Sequence, residues 1–113
     1  MTLKLNHLHL KTKNPEETAK FYVDNLGATI VSESSSGGYR LDLHGLSLNV
    51  TTFVENQTRE QMYGMEHIAI DTDEFDALVA KLKAQGIVIL EQTAVSRFEG
   101  PDGVQLEFIE MKP

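Results

Sequence analysis

Apolar and polar positions follow two rhythms along this chain, and the rhythms occur twice. Leu5, His7 and His9 alternate with Asn6, Leu8 and Leu10, the period-two pattern of a strand. Asn14-Pro15-Glu16-Glu17 then reads as a helix start, with Asn as the cap, Pro in the first turn and Glu three residues after the cap. Ala19, Tyr22, Val23 and Leu26 fall on one helical face, and Gly27 ends the helix. β-rich runs follow at residues 28–32, 39–43 and 46–53. The order then recurs. EHIAIDT reads as a strand and an Asp71–Asp73 start leads to Phe75, Leu78, Val79 and Leu82 at helical spacing. Gly86 closes that helix, and runs at 87–90, 95–98 and 104–110 read as strands. His44-Gly45 and Asp102-Gly103 are tight-turn signals, and Ser34–Gly38 is a loop.

The recurrence keeps step. His7 and His67 lie 60 apart, Gly27 and Gly86 59, Gly45 and Gly103 58, and Asn49 and Glu107 58. This predicts an α+β chain of two similar modules, residues 1–53 and 65–113, joined by a polar linker at 54–64. A length of 113 residues bounds the whole to one domain.

Composition then prunes the function classes. Without cysteine there is no disulfide scaffold, zinc ribbon, iron–sulfur site or thiol nucleophile. A net charge of −7 and no basic patch argue against nucleic acid. No apolar run reaches a membrane span, and MTLKLNHLHL has no signal-peptide character, so a cytoplasmic location is expected.

Chemistry is expected where the repeats superpose. If the modules pair with pseudo-symmetry, His7, His67, Asn49 and Glu107 converge on one cavity. Two imidazoles and one carboxylate make a facial triad for a divalent metal, with open positions for substrate; iron, manganese, nickel and zinc all suit it. The plainer alternatives are a histidine satisfied within a core and a Glu107 facing solvent. An inward Glu107 needs a cation. His9 shares the His7 face and is a candidate proton carrier or substrate hydrogen-bond donor. His44 is expected to face solvent, Glu99 and Glu110 to be surface charges, and the acids from Asp71 to Asp76 to form a solvated helix cap.

The segments NHLHL, FYVDNLG, GYRLDLHGLSLNV, GMEHIAI, AQGI and GPDGVQLEFIE together resemble the vicinal oxygen chelate superfamily, also called the glyoxalase/bleomycin-resistance/dioxygenase superfamily. The resemblance implies two βαβββ modules in a cupped mixed sheet around a metal, commonly in homodimers. It places His7, His67 and Glu107 on the metal positions. Glyoxalase I-like members have a glutamate at the fourth position, as ligand and base; Asn49 stands there and cannot serve as a base. Epimerase-like members have an amide there together with a further carboxylate.

The three-ligand set is similar to those of extradiol dioxygenases and fosfomycin-type thiol transferases. The former are usually longer. The latter carry Thr where His9 stands and end with an antibiotic-binding arginine absent from this chain. Bleomycin-type binding members usually lose the ligands.

The expected function is therefore a metal-dependent lyase or isomerase of the glyoxalase kind on a small oxygen-chelating substrate. Glu107 and His9 are its catalytic candidates, and His9 and Asn49 line its pocket. An extradiol-type dioxygenase, a thiol transferase to an epoxide, a non-catalytic small-molecule binder and a plain structural domain are the alternatives.

Overall fold

A computed structural model describes residues 2–53, 61–93 and 95–111. Of the expected linker, residues 54–60 lie outside the described residues, and Gly64 already opens a strand. The chain is α+β, and each module runs strand, helix and three strands, as the repeat predicts. Module one contains β1 (Leu3–Lys11), α1 (Pro15–Leu26), β2 (Thr29–Glu33), β3 (Tyr39–Leu43) and β4 (Leu46–Thr51). Module two contains β5 (Gly64–Thr72), α2 (Phe75–Ala84), β6 (Ile89–Gln92), β7 (Val95–Glu99) and β8 (Gln105–Glu110). Internal contacts gather the chain into two compact units, His7–Glu66 and Met1–Asn6 with His67–Pro113.

In the first unit the strand order is β2-β3-β4-β1, with β1 parallel to β4 and the other pairs antiparallel. A parallel neighbour needs a crossover, which α1 and the β2–β3 hairpin supply. Leu8 pairs with Leu48 and Leu10 with Val50, so these residues share one face. Ala19 and Ala28 close a core there with Leu41, Leu48 and Val50. Leu26, expected on the apolar face of α1, is 44% exposed at the last residue of the helix.

Asn14 caps α1 as predicted: its side-chain oxygen accepts from the Glu17 N–H at 3.1 Å. At the other end Gly27 takes a left-handed φ of 76°, which a Cβ would oppose. His44 is exposed in the turn, as expected, and has a further role. Its Nε2 lies 2.7 Å from the Leu26 carbonyl and so serves a helix end that has no basic residue in its last turn.

The second unit has the order β5-β8-β7-β6, again with one parallel pair, β5 and β8. Phe75, Leu78, Val79 and Phe98 are buried, and Phe98 packs on Phe108 with ring centroids 5.1 Å apart. Asp73, Glu74 and Asp76 at the start of α2 are exposed, as expected, but Asp71 and Asp73 also make long-range bonds. Asp71 lies within β5 and accepts from Asn6 at 2.9 Å, and Asp73 accepts from the Thr2 N–H at 2.8 Å. These acids tie down the first residues of the chain, while Glu74, at the cap position of α2, makes no side-chain capping bond. The Asp102-Gly103 hairpin turn is instead one turn of 3₁₀ helix, Pro101–Gly103. Glu99 and Glu110 are exposed, as expected.

Candidate functional site

Strand alternation decides which residues share the polar face of each unit. In module two, Ala69 stands opposite Glu107, and Glu107 opposite Arg97. His67 is two residues from Ala69 and therefore projects to the same side. The structure brings these groups together: His67 Nε2 lies 3.4 Å from Glu107 Oε2, and Arg97 Nε lies 3.3 Å from Glu107 Oε1. Arg97 also donates through Nη2 to the Gln105 side chain. All three of His67, Arg97 and Glu107 are buried.

Glu107 thus points inward, not to solvent. The cation that an inward Glu107 requires is present within the chain, as the Arg97 guanidinium. Burial of Glu107 is accounted for without a metal, and the carboxylate keeps its second oxygen toward His67. Arg97 was missed by sequence reasoning. Its signal was the register of the β7–β8 hairpin, which sets residue 97 opposite residue 107 once the turn at Pro101–Gly103 is placed.

In module one, His7, His9 and Lys11 alternate on β1 and look across to β4, where His9 pairs with Asn49 and Lys11 with Thr51. The His7 and His9 ring centroids are 5.9 Å apart. His9 Nε2 lies 2.7 Å from the Thr51 hydroxyl, and the buried Lys11 ammonium donates to Gln61 at 2.7 Å. Asn49 occupies the position equivalent to Glu107, and among the described residues its shielded Oδ1 has no hydrogen-bond partner.

On the other side of Asn49, Arg40 is its partner across β3 and β4. A cavity of about 220 Å³ opens here, lined by Ser32, Glu33, Gly38, Arg40, Asn49 and Thr51 among others. A register shift between Ile30 and Ser32 bulges β2 at its wall. Tyr39 also borders the cavity; burial, then the Glu33 carboxylate, raises its phenol above the ordinary value. It is neutral at neutral pH, and its hydroxyl lies 3.4 Å from Glu33.

These modules match a known family. The profile of the Glyoxalase/Bleomycin resistance protein/Dioxygenase superfamily matches residues 4–108, and the chain belongs to that superfamily. The metallothiol transferase FosB of Lysinibacillus sphaericus (strain C3-41) is 29% identical over 92% of this chain and 79% of its own length. The lactoylglutathione lyase of Haemophilus influenzae (strain ATCC 51907 / DSM 11121 / KW20 / Rd) is 26% identical over 97% of this chain and 94% of its own. The hypothetical protein BH1468 from Bacillus halodurans C-125 shares the fold with a TM-score of 0.77 at 20% identity, covering 100% of this chain and 97% of that one. Among the described residues no helix is long and apolar enough to cross a membrane.

Proposed function

We propose that this chain is a divalent-metal-dependent enzyme of the lyase or isomerase kind, acting on a small substrate with neighbouring oxygens, with His7, His67 and Glu107 as metal ligands. The observation that carries the reading is the approach of two buried donors, with His67 Nε2 3.4 Å from the Glu107 oxygen that Arg97 does not take. The donor set fits such an ion: imidazole nitrogens and a carboxylate oxygen, with no thiolate, suit iron, manganese, nickel or zinc. His9 is a further imidazole donor available in module one. A bound ion of this type supplies Lewis-acid polarisation of a substrate oxygen.

The protein's own residues divide the remaining work. Arg97 pairs with the Glu107 carboxylate and restricts how it can turn. Asn49, at the position equivalent to Glu107, has no titrating proton and serves to hydrogen-bond substrate. Proton movement falls to His9 or Glu107. His9 is the better placed, since Glu107 is already engaged by Arg97, while the Thr51 hydroxyl 2.7 Å from His9 Nε2 orients the ring.

A second reading, thiol transfer to an epoxide, draws support from the likeness to the metallothiol transferase across 92% of the chain. The protein is read as acting in the cytoplasm as a homodimer, which buries open sheet edges such as the fully exposed β2.

The test is metal-loaded protein assayed on three substrates: a methylglyoxal–thiol hemithioacetal, a thiol with an epoxide, and a catechol with oxygen uptake followed. Turnover of the hemithioacetal that a chelator and His67→Ala both abolish supports the first reading. Turnover of the epoxide alone selects the second. Oxygen uptake with catechol overturns both in favour of an oxygenase. No turnover of any of the three, with metal bound, leaves a binding protein and refutes catalysis on these substrates.

A further inference from the structure

The cavity beside Asn49 contains the exposed Arg40 guanidinium and the half-buried Asn49 amide. Arg40 makes no side-chain hydrogen bond or ion pair among the described residues, and neither does the Asn49 amide. The two are direct cross-strand partners, so they stand side by side on one face, at a Cβ separation of about 5 Å. An unpaired amide oxygen shielded from water is a standing cost that a ligand or ordered water relieves. A planar guanidinium is the side chain best shaped to take a carboxylate on two bonds.

The other walls refine the ligand. Glu33 supplies a negative charge, and Ser32, Ser34 and Thr51 supply hydroxyls. Gly38 is required for the shape: a Cβ there would come within 3.2 Å of both the Val50 carbonyl and a Thr51 methyl, and 3.1 Å of the Ser34 hydroxyl. The Ser34 hydroxyl in turn accepts from the Gly38 N–H at 2.8 Å, which holds the β2–β3 loop against the cavity.

We propose that this cavity is a binding site for a small carboxylate bearing a hydrogen-bond donor on the neighbouring carbon, the headgroup of an α-amino or α-hydroxy acid. Arg40 takes the carboxylate, the Asn49 oxygen accepts from the donor, and Glu33 favours an ammonium over a hydroxyl there. The inference rests on the reading of the His9–Asn49 face as the substrate side, and it names the substrate class for that face. It requires no metal.

The experiment is two-dimensional NMR titration of the metal-free protein with L-serine, lactate, acetate and ethanolamine, repeated on Arg40→Gln, Arg40→Lys and Asn49→Ala. Saturable shifts in the millimolar range are expected for serine and lactate, as befits ligands of so few atoms. They should centre on residues 32–40 and 49–51. Acetate and ethanolamine should bind at least about tenfold more weakly, since each loses one of two anchoring groups.

Arg40→Gln should weaken serine by about tenfold, with Arg40→Lys in between because it keeps the charge and loses the fork. Asn49→Ala should bring serine and acetate to similar affinity, which an effect on folding alone would not do. Serine tighter than lactate assigns the donor as an ammonium, and the reverse assigns a hydroxyl; either supports the site. Equal binding of acetate and serine overturns it, as does serine binding that Arg40→Gln leaves unchanged. The absence of saturable shifts with all four compounds overturns it too. Repeating the serine titration with metal added separates the two readings: binding that is normal without metal, in a protein that takes up none, overturns the metal site and leaves this one standing.

Discussion

Module one and module two place different chemistry at the same step of one repeat. In module two the residue is Glu107, buried and matched by Arg97 across the hairpin. In module one it is Asn49, with Arg40 as its cross-strand partner and no bond between them. Each module therefore has an arginine next to the repeat position, but Arg97 is buried against a carboxylate while Arg40 is exposed, with no carboxylate partner among the described residues. A buried carboxylate needs its cation in place before folding is favourable, whereas a half-buried amide tolerates an open partner. The duplicated fold can thus dedicate one copy to holding a charge and the other to receiving a ligand.

The largest expected effect breaks that division in module two. Arg97→Met leaves Glu107 buried without its cation and should cost about 3–5 kcal/mol in urea unfolding. Arg97→Met with Glu107→Leu should recover most of the loss, because both charges then leave together. Equal losses in the single and double variants would show that the pair is not coupled.

Next, Asn49→Glu makes module one resemble module two. Without metal it should cost about 1–2 kcal/mol, because the exposed Arg40 across the strands answers the new charge only in part, unlike the buried Arg97. Added divalent metal should restore the loss if the residue reaches the proposed site, as a rise in melting temperature larger than in the wild type.

Smaller still is the difference between the helix starts. Asn14→Ala removes a side-chain cap and should cost about 1 kcal/mol, whereas Glu74→Ala removes none at the start of α2 and should cost less.

The smallest effect is a pH dependence. The Thr2 N–H lowers the Asp73 carboxyl below its ordinary value. A lowered folded value means the stabilisation is present above the ordinary carboxylate range and is lost as pH falls through the folded value. Asp73→Asn should therefore be slightly less stable than wild type at neutral pH, with the gap closing in acid. A gap that widens in acid would reverse the assignment.

The repeat offset near 60 made the two βαβββ modules legible, because each strand and helix follows a local rhythm. The candidate residues on β1, β5 and β8 were legible for the same reason. Arg97 and Thr51 were not, since their roles come from cross-strand register, which a single strand's pattern does not contain. The bonds of Asp71 to Asn6 and of Asp73 to Thr2 were hidden for a related reason: these partners lie more than sixty positions away, beyond any local pattern. His44 is exposed, as expected, but its contact with the Leu26 carbonyl was not legible, since that partner depends on the loop passing the end of α1.

The central claim, a single divalent ion held by residues from both modules, is tested most directly by metal stoichiometry of purified wild type, His7→Ala and His67→Ala by mass spectrometry of the acid-released ions. One ion per chain in the wild type, and almost none in either folded variant, is the predicted result. A wild type without metal after growth and dialysis at neutral pH with manganese, zinc or nickel present would contradict it, as would either variant retaining one ion per chain.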